Sequence, residues 1–477
     1  MVFLIMDRTM KEHECPWPTY HIEVPERLEA IIRRFEETGL SSDPLVKTIP
    51  TRLASKEEIG LVHTPRYIED IENSANLTTE QQEALCAKYE DIYVNKNSWK
   101  CARMAAAASI DLVQRVLEEK KNGLALVRPP GHHAMPDEGC GFCIFNNVAI
   151  AANHARKNGA SRVLIVDFDV HAGQGTQECI EDDENIRLIS IHRYENGNFW
   201  PNLEQSGLFH RFKNTLNVPL NGIGFNDSDY LGIFTTLVIP LIFDWKPELI
   251  IVSCGFDAAL GDPEGYMNLT PAAYATMIKM LTNTNIPVAT ILEGGYFLDS
   301  IASDAEWVLR TLLGQQVPKI DIEKVDARLL PVIHEILESY QGVFPTFKQI
   351  LKVLKNTESE KKLDRDFLGT RTVSAPYETR GLYEPFKEEK INKFRETLEE
   401  IVDKYKDGKM YETIKEIRGF ENSDETDFEV RHNVLYTNNF LAAVLIGVSQ
   451  NPLLQIPPQI NEISINNAEN FAKFFKL

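Results

Sequence analysis

The sequence has little of several features that would assign it to a specialised protein class. It contains no run of about 18 apolar residues, so no transmembrane helix and no membrane partner are expected. The apolar residues 1–6 form too short a run for a signal-peptide core. The formal net charge is −20, and a chain without a basic surface is not expected to bind nucleic acid directly. Such acidity suits cationic ligands.

Cysteine is scarce and follows no framework. The seven cysteines are scattered, and an odd number in a large chain favours a reducing compartment. We therefore expect a cytoplasmic protein, with the nucleus as an additional location. Cys140 and Cys143 form a CxxC pattern, but their glycine-rich surroundings favour a loop over a redox centre. We also find no internal repeat and no phosphate-binding loop.

What the sequence does contain is an alternation of strand-like and helix-like segments. Short apolar runs predict strands at 124–127, 162–166, 187–191, 249–253 and 288–292. Helix patterns occupy 27–38, 101–119, 144–157, 230–245 and 271–281, with Thr270 as a predicted N-cap and Gly39 as a C-cap. Strands that alternate with helices indicate an α/β fold with a mostly parallel central sheet covered by helices.

This alternation stops after about residue 315. Residues 329–354 read as helices, and residues 351–390 as a charged linker. We expect a main domain over 1–350 and a mostly helical C-terminal extension over 391–477, whose role the sequence does not indicate. That extension contains an amphipathic helix at 391–405 and an apolar run at 440–446.

The most informative segment follows the predicted strand 162–166. Side chains alternate along a strand, so Asp167, Asp169 and His171 share one face. Two carboxylates and an imidazole at the end of a buried strand are costly to desolvate unless a cation binds them. A divalent metal is the simplest explanation.

Three further polar clusters follow predicted strands, where ligands bind to parallel sheets. They contribute His132 and His133, then Asp257, then Tyr296. Asp169, His171 and Asp257 would leave open positions on a zinc ion. Beside them, a histidine can accept a proton from water and a tyrosine hydroxyl can donate to an oxyanion. Together these groups suit the hydrolysis of an amide.

In this order, the clusters resemble the zinc-dependent histone deacetylase family, class II. The similarity runs from about residue 25 to about residue 350. Its motifs are RPPGHH at 128–133, GFCIFNN at 141–147, DFDVH at 167–171, SIHRY at 190–194, GFDAALGDP at 255–263 and LEGGY at 292–296. The resemblance implies an arginase/deacetylase fold and a hydrolase that acts on amide C–N bonds.

The resemblance also implies a role for each matching residue. Zinc would bind Asp169, His171 and Asp257, with His133 as general base, His132 as its electrostatic partner and Tyr296 polarising the carbonyl. A structural monovalent cation, K⁺, would be held by Asp167, Ser190 and the carbonyls of His171 and Ile191. Gly141, Phe142 and Trp200 would line the acyl tunnel.

Finer features resemble the class IIb polyamine deacetylase type. They are Gln174, Trp200 and above all Glu264, where polyamine deacetylases carry a gatekeeper glutamate. A rim carboxylate pairs with a secondary ammonium and disfavours the neutral backbone of a lysine peptide. Glu90 is a weaker candidate for a second rim acid. The expected substrate is thus an acetylated polyamine of the acetylspermidine type.

Two departures keep other functions open. The stretch Pro18-Thr19-Tyr20-His21 replaces a Pro-Glu-Cys-Glu turn that narrows the site in polyamine deacetylases, which leaves room for a protein or histone lysine deacetylase acting on acetyl-lysine. Ala172 replaces a second histidine after the DxDxH motif, which is the support for a weakly catalytic zinc-binding adaptor. Such an adaptor would bind protein partners through its C-terminal region. An arginase is disfavoured because it would give Tyr296 no role.

Overall fold

A computed structural model describes residues 1–17, 21–318, 320, 325–355, 367–369, 371 and 386–405. Within these residues the strands form a single eight-stranded sheet, and every pairing in it is parallel. The strands are β1 Val2–Met6, β2 Val46–Thr48, β3 Asn122–Leu126, β4 Val163–Asp167, β5 Ile186–Arg193, β6 Thr215–Leu220, β7 Leu249–Cys254 and β8 Val288–Leu292. Their order across the sheet is β2-β1-β3-β8-β7-β4-β5-β6.

The predicted parallel sheet is therefore confirmed. Strands β4, β7 and β8 are buried along their whole length, which explains why they read as continuous apolar runs. The sequence reading missed β1, β2 and β6. Strand β6 contains Asn217 and Pro219, which interrupt its apolar pattern, and an edge position tolerates a proline.

Helices cover the sheet, as predicted. They are α1 Glu26–Glu37, α2 Lys56–Ile59, α3 Pro65–Ser74, α4 Thr79–Cys86, α5 Ser98–Glu119, α6 Asn147–Lys157, α7 Gln174–Cys179, α8 Asp227–Ile233, α9 Ile239–Trp245, α10 Pro271–Thr282, α11 Leu298–Leu312, α12 Leu330–Tyr340, α13 Pro345–Lys355 and α14 Glu388–Tyr405. A π-helical turn, Phe234–Val238, joins α8 to α9. In the part of the chain that the structure describes, no helix has the length and apolarity needed to cross a bilayer.

Helix ends differ from the predictions where side chains find other partners. Helix α6 begins later than predicted because the Asn146 side chain caps it, accepting from the Ala149 N–H. Thr270 is the N-cap residue of α10, as predicted, but its hydroxyl donates to Asp227 Oδ2 over 2.7 Å instead of accepting from the helix. Gly39 has φ +71°, the left-handed conformation expected just beyond a helix C-terminus.

The predicted amphipathic helix at 391–405 lies within α14. This helix contacts α11 and the turn before it: the rings of Phe394 and Phe297 are 6.1 Å apart, and those of Tyr405 and Trp307 are 5.5 Å apart. Arg395 pairs with Asp299 at 3.0 Å. Most of the predicted linker and the apolar run at 440–446 lie outside the described residues.

Candidate active site

The polar clusters predicted from the sequence lie together at the carboxyl ends of four adjacent central strands. Strands β3, β8, β7 and β4 are neighbours in the sheet, and each leads into one of the clusters. Parallel strands bring their carboxyl ends to one edge, so residues distant in the chain meet there. The loops after these strands form the floor of the site.

Asp169, His171 and Asp257 form a compact group of buried side chains that could hold a metal ion. One potential ligand atom from each lies within 4.8 Å of the others. Nδ1 of His171 is 3.2 Å from Asp169 Oδ1 and 3.1 Å from Asp257 Oδ2. Burial, and next the Asp169 carboxylate, raise the pKa of Asp257 to about 7. Two carboxylates and one imidazole nitrogen that converge in a buried site suit a divalent cation.

Backbone groups hold these carboxylates in place. The Gly294 N–H donates to Asp169 Oδ2 over 2.9 Å, and the Val170 N–H donates to Asp257 Oδ1 over 2.7 Å. Gly255 and Gly294 have to be glycine, because a Cβ would lie 2.1 Å from Asp169 Oδ2 at position 255 and 2.5 Å from it at position 294. Hydrogen bonds outside the ligand set orient metal ligands in this way.

His132 and His133 lie side by side, with ring centroids 3.8 Å apart, but have different environments. His132 Nδ1 is 3.0 Å from Asp167 Oδ2. Burial lowers the pKa of His132, but the Asp169 and Asp167 carboxylates outweigh burial and raise it well above its usual value. Burial, and next the charge of His132, hold the pKa of His133 well below its usual value. His133 is thus the neutral imidazole, which can accept a proton.

Gln174 and Cys140 complete the surroundings of His133. Gln174 Oε1 is 2.8 Å from His133 Nδ1, and Gln174 Nε2 donates to Cys140 Sγ at 3.6 Å. This network assigns the His133 proton to Nδ1 and leaves Nε2 as the acceptor. Cys140 was not predicted to take part. All seven cysteines, including this one, are free thiols.

Glu293 and Arg27 are buried residues at the site that the sequence reading missed. Glu293 Oε2 accepts from the N–H groups of Gly131 and His132, at 2.7 and 3.2 Å. Arg27 donates to the carbonyls of Glu293 and Gly295, at 2.6 and 2.5 Å. Glu293 lies in the LEGGY motif and Arg27 in the helix predicted at 27–38, but neither pattern shows that Glu293 binds the loop after β3 or that Arg27 joins α1 to the loop after β8.

Tyr296 follows Gly294 and Gly295 and is partly exposed. The Arg27 guanidinium lies 4.9 Å from the centroid of the Tyr296 ring. The backbone N–H of Tyr296 donates to Asp262 Oδ2 over 2.6 Å. Burial raises the pKa of Tyr296 well above its usual value although Arg27 opposes the shift. The phenol therefore stays protonated, as a hydroxyl that donates must be.

Aromatic rings form the walls beside the metal donors. The Trp200 ring meets His133 edge-on at 4.6 Å, and the Phe142 ring meets Tyr296 at 5.7 Å. Gly141 has φ +50°, and a Cβ there would lie 2.5 Å from the Trp200 ring. Phe199, which the sequence reading did not single out, stacks on His171 at 5.2 Å.

Two carboxylates predicted at the rim have different surroundings. Glu264 Oε2 lies 3.9 Å from His171 Nε2, its side chain is 24% exposed, and its backbone N–H donates to Asp262 Oδ1 over 2.9 Å. Burial raises the pKa of Glu264. Glu90 is instead almost fully buried behind Trp200, where its Oε1 accepts from the indole Nε1 over 2.9 Å. It is therefore not an exposed rim acid.

The residues expected to hold a monovalent cation lie on adjacent strands. Asp167 of β4 is opposite Ser190 of β5 in the sheet register, and Ile191 follows Ser190. Ser190 Oγ accepts from the Gly173 N–H at 3.3 Å and is 2.9 Å from His192 Nδ1. Their role in binding a cation stays a prediction.

The two departures from the family pattern fall in different parts of the structure. Ala172 is buried, 3% exposed, directly after the metal donor His171. Of the stretch Pro18 to His21, only His21 is among the described residues. Its ring meets that of Phe142 edge-on at 5.0 Å, so it packs against one of the aromatic walls of the site.

Comparisons with known proteins agree with this geometry. Residues 21–312 match the model of the histone deacetylase domain family. "Polyamine deacetylase HDAC10" of Homo sapiens is 44% identical over 311 residues, covering 64% of this chain and 46% of that protein. The Danio rerio protein of the same name is 41% identical over 388 residues, covering 78% of this chain and 56% of that protein.

More distant relatives are also similar. "Histone deacetylase HDA1" of Candida albicans is 35% identical over 371 residues, covering 72% of this chain and 44% of that protein. A crystal structure of the "HDA15 HD domain" superposes with a TM-score of 0.65 at 34% identity, covering 73% of this chain and 97% of that one. The chain thus spans about half the length of the curated relatives it matches.

Proposed function

The chain belongs to the histone deacetylase domain family, and on that basis we propose that it is a zinc-dependent amidohydrolase that removes acetyl groups from acetylated polyamines. The observation that carries this proposal is the Glu264 carboxylate at the edge of the metal-donor group, 3.9 Å from His171. A hydrolytic site beside a carboxylate suits a substrate with an amide at one end and ammonium groups along its chain.

Zinc fits the donor atoms present. Asp169, His171 and Asp257 supply three buried ligands, and the N–H groups of Gly294 and Val170 already bind the remaining carboxylate oxygens. Three protein ligands and an open position are typical of catalytic zinc. When bound, zinc polarises a carbonyl and lowers the pKa of a coordinated water.

The other residues take the roles that their surroundings support. His133 accepts the proton of the attacking water, since its low pKa keeps it neutral and Gln174 holds its Nδ1–H. Tyr296 donates a hydrogen bond from its hydroxyl to the developing oxyanion and keeps its proton. Phe142, Trp200 and Phe199 exclude water from the acetyl-bearing chain, which strengthens both interactions.

Glu264 provides the preference between substrates. Its carboxylate pairs with a secondary ammonium of a polyamine, whereas the backbone amides that flank an acetyl-lysine offer it no charge. The similarity to proteins named polyamine deacetylase supports the same substrate class. Deacetylation of acetyl-lysine is the second candidate, favoured by the sequence Pro18-Thr19-Tyr20-His21 in place of the narrowing turn.

We also propose a structural K⁺ ion at the ends of β4 and β5. The support is the adjacency of the Asp167 carboxylate, the Ser190 hydroxyl and the chain at Ile191, all oxygen-bearing and buried. Oxygen donors suit a hard monovalent cation better than they suit zinc.

A side-by-side assay tests the substrate proposal. The zinc-loaded full chain is given acetylspermidine and an acetyl-lysine peptide, and kcat/KM is measured for each. A larger value for acetylspermidine supports the proposal, and a larger value for the peptide favours the lysine deacetylase. No hydrolysis of either by a protein shown to hold zinc would support the adaptor instead.

A further inference from the structure

A short segment beyond the matched family domain lies against the loop that carries Trp200. The family match ends at residue 312, and the segment consists of residues 367–369 and 371. We name it the strap. It contacts the loop 194–203, which carries Phe199 and Trp200, two of the aromatic walls of the site.

Arg371 makes the central contacts of the strap. Its Nη1 pairs with the Glu90 carboxylate, and its Nη2 donates to the Pro201 carbonyl over 2.7 Å and to Asn202 Oδ1 over 3.2 Å. Arg371 also forms a parallel β-bridge with Leu203. One guanidinium thus joins the strap both to the loop and to a carboxylate beneath it.

Glu90 connects Arg371 to the active site. Its Oε1 accepts from Trp200 Nε1 over 2.9 Å as well as pairing with Arg371, and its side chain is only 2% exposed. Trp200 in turn meets the His133 ring at 4.6 Å. Removal of Arg371 would take away the cation that pairs with this buried carboxylate, so the positions of Glu90 and of the indole bound to it depend on Arg371.

The rest of the strap fits the loop closely. Leu368 N–H donates to the Asn196 carbonyl over 2.6 Å. Gly197 has φ +91°, and a Cβ there would lie 2.1 Å from Phe367 Cε2, so the Phe367 ring occupies the space that a side chain at 197 would need. Two independent contacts therefore hold the same loop.

We propose that the strap sets the position of the Trp200 wall, with Arg371 as a positioning residue that acts through Glu90. The inference rests on the proposed function for its kinetic consequences only. Residues outside the catalytic family domain thereby help to determine how tightly the tunnel holds the acetylated chain, and how Trp200 packs against the general base His133.

The test compares Arg371→Ala, Arg371→Lys and Glu90→Gln in the full chain. Arg211→Ala is the matched control, because Arg211 also pairs with a glutamate, Glu181, but is 61% exposed. Three properties are measured: acrylamide quenching of Trp200 fluorescence, isolated by subtracting a Trp200→Phe spectrum; kcat and KM for acetylspermidine; and Tm.

We expect Arg371→Ala to raise the quenching of Trp200 and to lower kcat/KM about tenfold, mainly through KM. Arg371→Lys should recover part of both effects, since lysine keeps the charge but loses the paired donors. The double variant Arg371→Ala, Glu90→Gln should show no larger change in quenching or kcat/KM than Arg371→Ala alone, because both substitutions remove the same contact.

Unchanged quenching and kinetics in Arg371→Ala would overturn the proposal, as would a fall in Tm with both unchanged. If that variant does not fold, Arg371→Lys and Glu90→Gln provide the same comparison. Quenching needs no substrate, so it tests the strap even if the wild-type chain hydrolyses nothing. An inactive wild type would therefore refute the proposed function, and unaltered quenching would refute the strap.

Discussion

Replacement of Glu264 by glutamine is the sharpest test of how the site selects its substrate. Glutamine keeps the size and hydrogen-bonding capacity of the side chain and removes its charge. Two unit charges about 4 Å apart attract by about 1 kcal/mol in water and by about 4 kcal/mol at an effective dielectric constant of about 20. With 24% of the Glu264 side chain exposed, we expect a value near the lower limit.

A loss of about 1.4 kcal/mol corresponds to about a tenfold change in an equilibrium or rate constant. We therefore expect Glu264→Gln to lower kcat/KM for acetylspermidine about tenfold, chiefly through KM, and to leave that for an acetyl-lysine peptide within about twofold. Added salt should shrink the wild-type preference, since it screens a partly exposed pair. Glu264→Leu should lose the same preference, because it also removes the charge.

Equal losses on both substrates would refute this reasoning. Glu264 Oε2 lies 3.9 Å from His171 Nε2, so the carboxylate could support a metal ligand rather than select the substrate. Metal analysis of the variant separates the two roles. A lower zinc content together with an equal fall in kcat/KM for both substrates would assign Glu264 to the metal site. An unchanged zinc content together with a fall in kcat/KM for acetylspermidine alone would assign it to substrate specificity.

Three further predictions concern other parts of the chain. Asp257→Asn should lose most bound zinc on dialysis, measured by metal analysis, and lower turnover by more than about 100-fold, because a neutral amide is a poor zinc ligand. Gln174→Leu should lower kcat about 10- to 100-fold with little change in KM, because it leaves the buried His133 Nδ1–H unpaired; an unchanged kcat would contradict that role. Burial, and next Asp137, raise the pKa of Glu138 from 4.5 to about 7. An acid whose folded-state pKa is raised contributes stability that is complete below about pH 4.5 and is lost as pH rises through about 7. Thermal melts should therefore show Glu138→Gln to be more stable than the wild type at pH 8 by about 1 kcal/mol, allowing for partial exposure, and equally stable near pH 4.5; an equal difference at both pH values would contradict this.

Much of the fold could be predicted because buried segments have a recognisable apolar pattern in the sequence. Strands β4, β7 and β8 are covered on both faces, so their apolar runs are continuous and easy to identify. Edge strand β6 was missed because its surroundings tolerate Asn217 and Pro219, which break the pattern. The first residue of α6 was misplaced because the start of the helix depends on one capping side chain, that of Asn146.

The chemical groups of the site were also recognisable from the sequence. Asp169 and His171 follow a strand at alternating positions, and Tyr296 follows two glycines, so residue type and spacing carried the inference. The sequence alone thus identified the candidate metal donors and the kind of reaction they would support, since ligand chemistry depends on which atoms a segment offers at a strand end.

Only the tertiary structure decided which of the remaining residues act on that site. Glu90 read as a rim acid, but the fold buries it beneath Trp200 and pairs it with Arg371. Glu293 joins two loops, and Arg27 joins α1 to one of them, through backbone contacts that their own segments do not indicate. The reason is physical: these interactions join residues far apart in the chain, and a local pattern records whether a side chain is buried but not what it meets there.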